Sequence, residues 1–496
     1  MKHQDYFTSL FEPKSVAFIG ASNNPFKWGF NILHHILKGG YAGAIYPVNP
    51  QGGDWFGQAM YRSLEEVPSP VDCAVIVVPK EQVPETLGRC AALKIPAAVI
   101  ITAGFSETGP DGARLEEEAL SEARRGGIRL VGPNTMGVFS AYPSPLQAVM
   151  MSSSLKPGPV AVISQSGNLG TSISYRFIRR EIGISRLISS GNEADLRVED
   201  YLEYLERDER TKIICLYIEG LRDGRRFMEI ARRVTLSKPI LLLKGGTGSI
   251  GAGAAMSHTG AIAGSFGTFR AMCRQCNIIL VDHIGEMVDV AGFLLSQPVF
   301  TGNRIGIVTQ GGGWGVISAD LCEAHDLKVP PLNEKVVSLM DAFLPPFWSR
   351  GNPVDLVAPG KVSMITDAID IILKNTEMDA ILLLGLGYMT LRARHWLESP
   401  VIPRAAIEPH ALRMIEGEAG LLGLIEEQIK KYDKPIIPVI DQVAFDDTTE
   451  HNVVRRLDRE GVMAYSSPEQ AIQALAKVHD YYRRRDKRRG ETRSPR

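Results

Sequence analysis

The chain has no long hydrophobic run, no excess of either charge, and no cysteine pattern that could frame a set of disulfides. No apolar stretch approaches the roughly 20 residues needed to cross a bilayer. The N-terminus, Met1-Lys-His-Gln-Asp-Tyr6, lacks the basic-then-apolar pattern of a signal peptide. No membrane contact and a cytoplasmic location are therefore expected. Lys and Arg total 55 against 56 Asp and Glu, a formal net charge of −1. That balance argues against a general polyanion-binding surface and against nucleic acid as a partner. The local exception, Arg483-Arg-Arg-Asp-Lys-Arg-Arg489, reads as a solvated, frayed tail. Of the six cysteines (Cys73, Cys90, Cys215, Cys273, Cys276 and Cys322), only Cys273-Arg-Gln-Cys276 has metal-ligand spacing, and no second pair completes a site. That pair falls in a helical stretch and is expected to face a core. No metal site is expected in this chain.

Two ligand signatures are missing as well. No Walker A lysine motif is present, and the first glycine turn, Gly20-Ala-Ser-Asn-Asn-Pro-Phe-Lys-Trp-Gly29, is not Gly-x-Gly-x-x-Gly. The second strand ends in Asn49 rather than in an acid for a ribose hydroxyl, which disfavours NAD. A nucleotide-like ligand with phosphates at the helix start still fits that turn. Gly246-Thr-Gly-Ser-Ile-Gly251 does match Gly-x-Gly-x-x-Gly, but glycine and alanine run on past it with no prompt helix, so the match reads as accidental.

What the sequence does contain is a regular alternation of short β-branched runs with amphipathic stretches over most of its 496 residues. That is the signature of α/β architecture with parallel sheets and crossover helices. Three such units are expected, each opening with a strand, a glycine-bearing turn and a helix. The first has strands Ser15-Val-Ala-Phe-Ile19, Ala44-Ile-Tyr-Pro-Val48, Cys73-Ala-Val-Ile-Val-Val78, Ala97-Ala-Val-Ile-Ile-Thr102 and Arg129-Leu-Val131. Small or polar clusters follow these strands, including Gly20, Ala21, Ser22, Asn49, Pro79, Ala103, Gly104 and Asn134, where such folds place ligands. A Pro/Ser-rich stretch from Tyr142 to Gly158 reads as a boundary. The second unit runs from Pro159-Val-Ala-Val-Ile163 to Ile278-Ile-Leu-Val281, and a third begins near residue 301.

The chemistry concentrates on one histidine. His258 sits in Lys244-Gly-Gly-Thr-Gly-Ser-Ile-Gly-Ala-Gly-Ala-Ala-Met-Ser-His258-Thr-Gly-Ala-Ile-Ala-Gly264, surrounded by almost nothing except backbone. Bare backbone can approach a bound group closely and aim N–H donors at it, which suits a histidine that accepts an anionic phosphoryl group. Ser164-Gln-Ser-Gly-Asn-Leu-Gly170 and Gln310-Gly-Gly-Gly-Trp-Gly-Val316 each follow a strand and open a helix. They offer two positive helix N-termini, at Ser166, Gly167 and Asn168 and at Gly312, Gly313 and Gly315.

Gly20-Ala-Ser-Asn-Asn-Pro25, Gly132-Pro-Asn-Thr-Met-Gly137, Ser164-Gln-Ser-Gly-Asn-Leu-Gly170, Tyr217-Ile-Glu-Gly220, Ser257-His-Thr-Gly-Ala-Ile-Ala-Gly264 and Asn352-Pro-Val-Asp-Leu356 together resemble the α subunit of the NDP-forming acyl-CoA synthetases. That family includes the ADP-forming acetyl-CoA synthetases and is related to the succinyl-CoA synthetases. The resemblance implies three Rossmann- or flavodoxin-like parallel-sheet domains: a CoA-binding domain over 8–145, a succinyl-CoA synthetase-like domain carrying the phosphohistidine over 155–298, and a second flavodoxin-like ligase domain over 301–482, with the basic tail at 483–496. It implies that His258 is phosphorylated and that Glu219 orients its ring. It implies that the two helix N-termini hold the phosphoryl group, and that Gly20, Ala21, Ser22, Lys27, Asn49, Pro79, Ala103, Gly104 and Asn134 bind CoA. ADP or ATP and Mg²⁺ would enter through an ATP-grasp domain. The chain leaves no room for one, so a separate β subunit is expected, in an α2β2 assembly, with CoA or acyl-CoA and phosphate as this chain's own ligands.

Other readings compete with this one. A catalytically idle CoA-binding regulatory protein of the same fold has no need of His258, Glu219 and both anion turns. A serine hydrolase using Ser164 or Ser166 lacks Gly-x-Ser-x-Gly and leaves the glycines around His258 unexplained. The acyl group is not legible. An acyl pocket is expected near Phe105, Met136 and the loop through Tyr142, by fold analogy alone. Residues 388–410 match no motif of the family and read as a variable loop or an acyl-selecting segment.

Overall fold

The computed structural model describes residues 5–151, 153–248, 250–251, 265–357, 363–440 and 461–493. The chain forms two compact units, Met1–Met287 and Val288–Arg496. The first two expected domains therefore share one body.

The first sheet of that body contains β1 (Ser15–Ile19), β2 (Ala44–Val48), β5 (Cys73–Ile76), β6 (Ala97–Ile100) and β7 (Arg129–Val131), with a small hairpin, β3 (Asp54–Trp55) and β4 (Gln58–Ala59), beside it. Its order is β2-β1-β5-β6-β7, and the five strands are parallel. Val16, Ala17 and Phe18 of β1 are wholly buried, as a central strand covered on both faces requires. Covering helices are α1 (Asp5–Phe11), α2 (Trp28–Lys38), α3 (Val83–Ala92) and α4 (Pro110–Gly126). The order reverses at β1, whose two neighbours lead in opposite directions, so a crevice opens beyond the carboxyl ends of β1, β2 and β5.

The second sheet has seven strands: β8 (Gly137–Ser140), β9 (Leu146–Val149), β10 (Pro157–Ser164), β11 (Ile184–Ser189), β12 (Ile213–Ile218), β13 (Ile240–Lys244) and β14 (Ile279–Val281). Its order is β14-β13-β12-β10-β11-β8-β9, with the first five parallel and the β8–β9 hairpin antiparallel. The stretch 142–158, read as a boundary, contains β9 and the start of β10. Its prolines Pro143 and Pro145 lie in the turn of the hairpin, which pairs with β11 through Val138, Phe139 and Ser140. The hairpin ties the first sheet's layers to the second. His35 of α2, for example, is hydrogen-bonded through Nδ1 to the Val149 carbonyl at 3.1 Å. Helices α5 (Gly167–Arg179), α6 (Val198–Arg207), α7 (Gly224–Val234) and α8 (Phe266–Gln275) cover this sheet. Cys273 and Cys276 are buried in the hydrophobic core.

Helix α9 (Ile284–Ser296) carries the chain from the first unit into the second. The second unit has one parallel sheet, of order β16-β15-β17-β18, formed by β15 (Ile305–Thr309), β16 (Val354–Asp355), β17 (Ala380–Leu384) and β18 (Ile436–Val439). Its other helices are α10 (Gly312–Ala324), α11 (Glu334–Asp341), α12 (Ser363–Asn375), α13 (Tyr388–Leu397), α14 (Arg404–Tyr432) and α15 (Pro468–Arg493). Residues 388–410, read as a variable loop or an acyl-selecting segment, are mostly helical. Glu418 of α14 is fully buried, and its carboxylate accepts the N–H groups of Gly387 and Thr390, both at 2.8 Å. An anion at that position caps α13 and complements its dipole. The basic tail is likewise helical through Arg493 rather than frayed. Arg484 pairs with Asp480 at 2.8 Å and the Arg485 guanidinium covers the Tyr482 ring at 4.6 Å, which neutralises or shields part of its charge. Among the described residues, no helix is long and apolar enough to cross a membrane.

Candidate active site

A cavity of about 560 Å³ lies at the carboxyl ends of β1, β2 and β5. Six of the nine residues expected to bind CoA line it: Gly20, Ala21, Ser22, Lys27, Asn49 and Pro79. The turn is pinned from both sides. The Gly20 and Ala21 N–H groups donate to the Val48 carbonyl at 3.0 and 3.1 Å, and Asn49 Nδ2 donates to the Ala21 carbonyl at 2.7 Å. Asn49 therefore braces the turn, a different use from the ribose contact an acid would make there. Arg62 and Arg89, which the sequence reading did not single out, add cationic lining, and Phe26 and Trp28 leave their rings largely in solvent at the mouth. Cations with exposed aromatic planes suit a phosphate-bearing nucleotide.

The other three sit elsewhere. Ala103 is exposed outside the cavity lining. The Gly104 and Phe105 N–H groups are taken by the Glu107 carboxylate, at 2.5 and 3.1 Å, so Gly104 donates within its own loop. Burial pushes the Glu107 carboxyl up, but hydrogen bonds from Asn192 and from the backbone outweigh it and hold the group below its ordinary value. Asn134 turns toward the second sheet, where its Nδ2 donates to Asn192 Oδ1 at 3.2 Å. The three side chains expected near an acyl pocket have other neighbours. Phe105 is fully buried in the first sheet's core, Met136 packs on Gly167, and the Tyr142 ring lies under the Arg210 guanidinium at 5.1 Å.

The second sheet brings two anion-handling features to adjacent strand ends. After β10, Ser166 occupies the N-cap position of α5 without a side-chain cap, leaving the first amides of Gly167 and Asn168 to point outward. Gly167 is required by packing: a Cβ there would lie 2.1 Å from Met136 Cγ. After β12, half-buried Glu219 accepts a hydrogen bond from the Tyr217 hydroxyl at Oε1, 3.3 Å away. Burial, then the neighbouring Glu219 carboxylate, pushes the Tyr217 hydroxyl up to about 12, so it remains a donor at neutral pH. Gly245 lies against this pair; a Cβ would come within 2.4 Å of the Tyr217 hydroxyl and 3.3 Å of Glu219 Cγ. His258 lies outside the described residues.

In the second unit, Gly312 and Gly313 are exposed at the start of α10, with Gly311 as its N-cap. Gly315 is different. It is buried, and a Cβ would press on Pro353 at 2.9 Å and on Thr309 at 3.3 Å, so helix packing requires a glycine there. Asn352 of the Asn-Pro-Val-Asp run also has a structural role: Oδ1 accepts the Ile307 N–H, and Nδ2 donates to the Ile305 and Pro330 carbonyls.

Near Glu219, the loop after β11 buries a second carboxyl that the sequence reading passed over. Glu193 is only 4% exposed, Oε2 accepts from Gln165 Nε2 at 3.2 Å, and Oε1 has no hydrogen-bond partner among the described residues. Burial pushes it up from 4.5 to about 7, with Glu199 adding repulsion, while Ser190, Gln165 and Arg222 oppose the rise. Its folded value is raised, so the protonated form favours folding. That contribution is complete below pH 4.5 and is lost as the pH climbs through about 7. The slope over that window is about 1.4 kcal/mol per pH unit. Between pH 5 and pH 8, Glu193→Gln should therefore lose less thermal stability than the wild type. Glu199, also raised by burial, leaves some slope in the variant. Melting curves that shift in parallel for the two proteins would refute this.

Three family descriptions match the chain in order: "CoA binding domain" over residues 14–141, "Succinyl-CoA ligase like flavodoxin domain" over 157–294 and "Ligase-CoA domain" over 305–395. The α subunit of acetate–CoA ligase (ADP-forming) II from Pyrococcus furiosus is 41% identical over 378 residues, which is 76% of this chain and 81% of that one. The α subunit of isoform I from the same organism is 36% identical over 477 residues, 95% and 97% of the two chains. Among solved structures, acetyl-coenzyme A synthetase 1 of Ca. Korarchaeum cryptofilum, in complex with phosphate and ADP, superposes with a TM-score of 0.84 at 32% identity, covering 99% of each chain.

Proposed function

Because the chain belongs to the family of ADP-forming acetate–CoA ligase α subunits, we propose that it carries out the acyl-CoA and phosphate half of that reaction through a phosphohistidine at His258. The observation that carries the reading is the delivery of Glu219 and the open N-terminus of α5 to the ends of neighbouring strands β12 and β10. A carboxylate and an uncapped helix N-terminus at the carboxyl ends of neighbouring central strands suit a ring that alternates between neutral and cationic while holding a phosphoryl group.

Acyl-CoA binds with its nucleotide in the crevice at Gly20–Ser22, Lys27, Asn49 and Pro79. An oxygen of inorganic phosphate attacks the thioester carbonyl, the C–S bond breaks, and the thiolate leaves to take up a proton as free CoA. The neutral imidazole of His258 then attacks the phosphorus of the acyl phosphate, the P–O bond to the acyl group breaks, and the carboxylate departs. Glu219 accepts the N–H of the other ring nitrogen, fixing the tautomer and stabilising the developing cation. The amides at Ser166–Asn168 hold the phosphoryl oxygens. A terminal oxygen of ADP finally attacks phosphohistidine, the N–P bond breaks, and ATP forms. The α-subunit relatives imply a partner subunit, and we assign it an ATP-grasp fold that brings ADP and Mg²⁺, in an α2β2 assembly.

The test is peptide mass analysis of the full chain after incubation with phosphate and acetyl-, propionyl-, isobutyryl- or phenylacetyl-CoA, kept alkaline to protect the N–P bond. One phosphoryl group on His258, absent in His258→Ala, is expected, and the panel ranks the acyl groups. An unphosphorylated chain that binds CoA, with the partner subunit also present, would overturn the reading in favour of an idle CoA-binding protein.

A further inference from the structure

Strand pairing ends one residue before Glu219, with the Ile218 carbonyl still accepting the Gly245 N–H at 2.9 Å. Pairing of β10 with β12 ends at Ser164 and Tyr217, and pairing of β12 with β13 ends at Ile218 and Lys244. Beyond those points two side chains take over. From the end of β10, Gln165 Oε1 accepts the Glu219 N–H at 2.6 Å and the Gly220 N–H at 3.1 Å, while Nε2 donates to the Gly220 carbonyl at 2.9 Å. From the end of β13, Lys244 Nζ donates to the Glu219 carbonyl at 2.8 Å.

From this arrangement we infer that Gln165 and Lys244 are positioning residues that aim the Glu219 carboxylate, an inference that rests on the proposed role of Glu219 toward His258. The peptide groups on both sides of the Glu219 Cα are held by side chains from the two flanking strands. The carboxylate is left only its own side-chain torsions, and these are restricted by the Tyr217 hydroxyl and by the close approach of Gly245. Gln165 is itself held in one sense. Its Nε2 donates to the buried Glu193 carboxyl, so flipping the amide would set its oxygen against that group and against the Gly220 carbonyl. Lys244 is steadied by the Phe269 ring, 5.5 Å from Nζ. Supporting groups of this kind set the precision of a reacting constellation.

The inference is tested with the full chain by measuring the rate of His258 phosphorylation against the concentration of the best acyl-CoA of the panel. Gln165→Ala and Lys244→Met should each lower the maximal rate by about 10- to 100-fold. The half-saturating concentration should stay unchanged, because the CoA crevice lies in the other sheet. Lys244→Arg, which keeps a donor, should recover most of the rate. In a Glu219→Gln background, Gln165→Ala should cost less than about threefold more, since the group it positions is already lost. Maximal rates within twofold of wild type for Gln165→Ala and Lys244→Met, with Glu219→Gln strongly impaired, would overturn the inference and leave the role of Glu219 standing. Full additivity of the double variant, with a raised half-saturating concentration, would reduce Gln165 to scaffold. An unimpaired Glu219→Gln would instead bring down the reading on which the inference rests.

Discussion

Glu219→Gln should slow formation of phosphohistidine by roughly 10²- to 10⁴-fold, while CoA affinity and thermal stability change little. The substitution keeps the size of the side chain and an oxygen that can accept from the Tyr217 hydroxyl. The hydrogen bonds by which Gln165 and Lys244 hold its main chain are retained. What is lost is the negative charge. Phosphorylation leaves the imidazole carrying two nitrogen substituents and a positive charge, and a carboxylate on the far nitrogen stabilises that state more than the neutral ground state. An amide can also present its NH2 group to the ring and hold the wrong tautomer. Rapid quenching of the full chain with phosphate and acyl-CoA gives the rate, and CoA titration gives the affinity. Equal phosphorylation rates in variant and wild type would remove Glu219 from the mechanism and leave its clamped backbone as a purely structural turn.

The strands that the sequence revealed are those covered on both faces, which must be continuous and apolar. Ser15–Ile19 is read to the residue. The strands it concealed break that rule for identifiable reasons. In β11, Ile184-Ser-Arg-Leu-Ile-Ser189, an arginine interrupts the run. The fold nevertheless buries Arg186 to 1% exposure, because Glu12 and Asp208 supply carboxylates, the Tyr204 hydroxyl a hydrogen bond and the Phe11 ring a face. In β8 and β9, prolines that ordinarily mark a linker instead form the turn of a hairpin, a distinction that depends on an acceptor strand far away in the sequence.

The candidate site divides along the same line. Residues following β1, β2 and β5 line one cavity because that is where the strand order reverses. Gly104 and Asn134, at the ends of β6 and β7, obey the same local pattern, but Gly104 is taken by Glu107 of its own loop, and Asn134 faces Asn192, which only the packing of the second sheet on the first decides. Gln165 stood inside a motif whose serine and glycines drew the attention. Its importance comes from β10 lying next to β12, a fact of sheet order with no local signature.

The strongest stability effect is expected at the crevice, in Gly29→Ala. Helix α2 begins against the glycine turn so closely that a Cβ on Gly29 would lie 2.0 Å from the Gly20 carbonyl oxygen. That obstacle is backbone, and it has little freedom to retreat. Gly20 has a φ of +102°, and a Cβ of its own would already lie 2.2 Å from the Val77 carbonyl oxygen. Its N–H is tied to Val48, and Asn49 pins the next residue's carbonyl. The added methyl must therefore push the start of α2 outward, carrying Lys27 and Trp28 away from the cavity they line. Overpacking of this kind costs about 1–3 kcal/mol or more, and each kcal/mol lowers the melting temperature by about 2–4 °C in a unit of this size. Displacing the crevice wall by more than about 1.4 kcal/mol of lost contact should weaken CoA binding at least tenfold. Gly224→Ala is the matched control, since a Cβ at that helix start meets nothing within 4 Å. Calorimetric titration with CoA should separate the two variants, with Gly224→Ala binding as the wild type does. Wild-type affinity in Gly29→Ala would mean that the close contact at the start of α2 plays no part in forming the CoA site, and the crevice would lose its claim to the nucleotide.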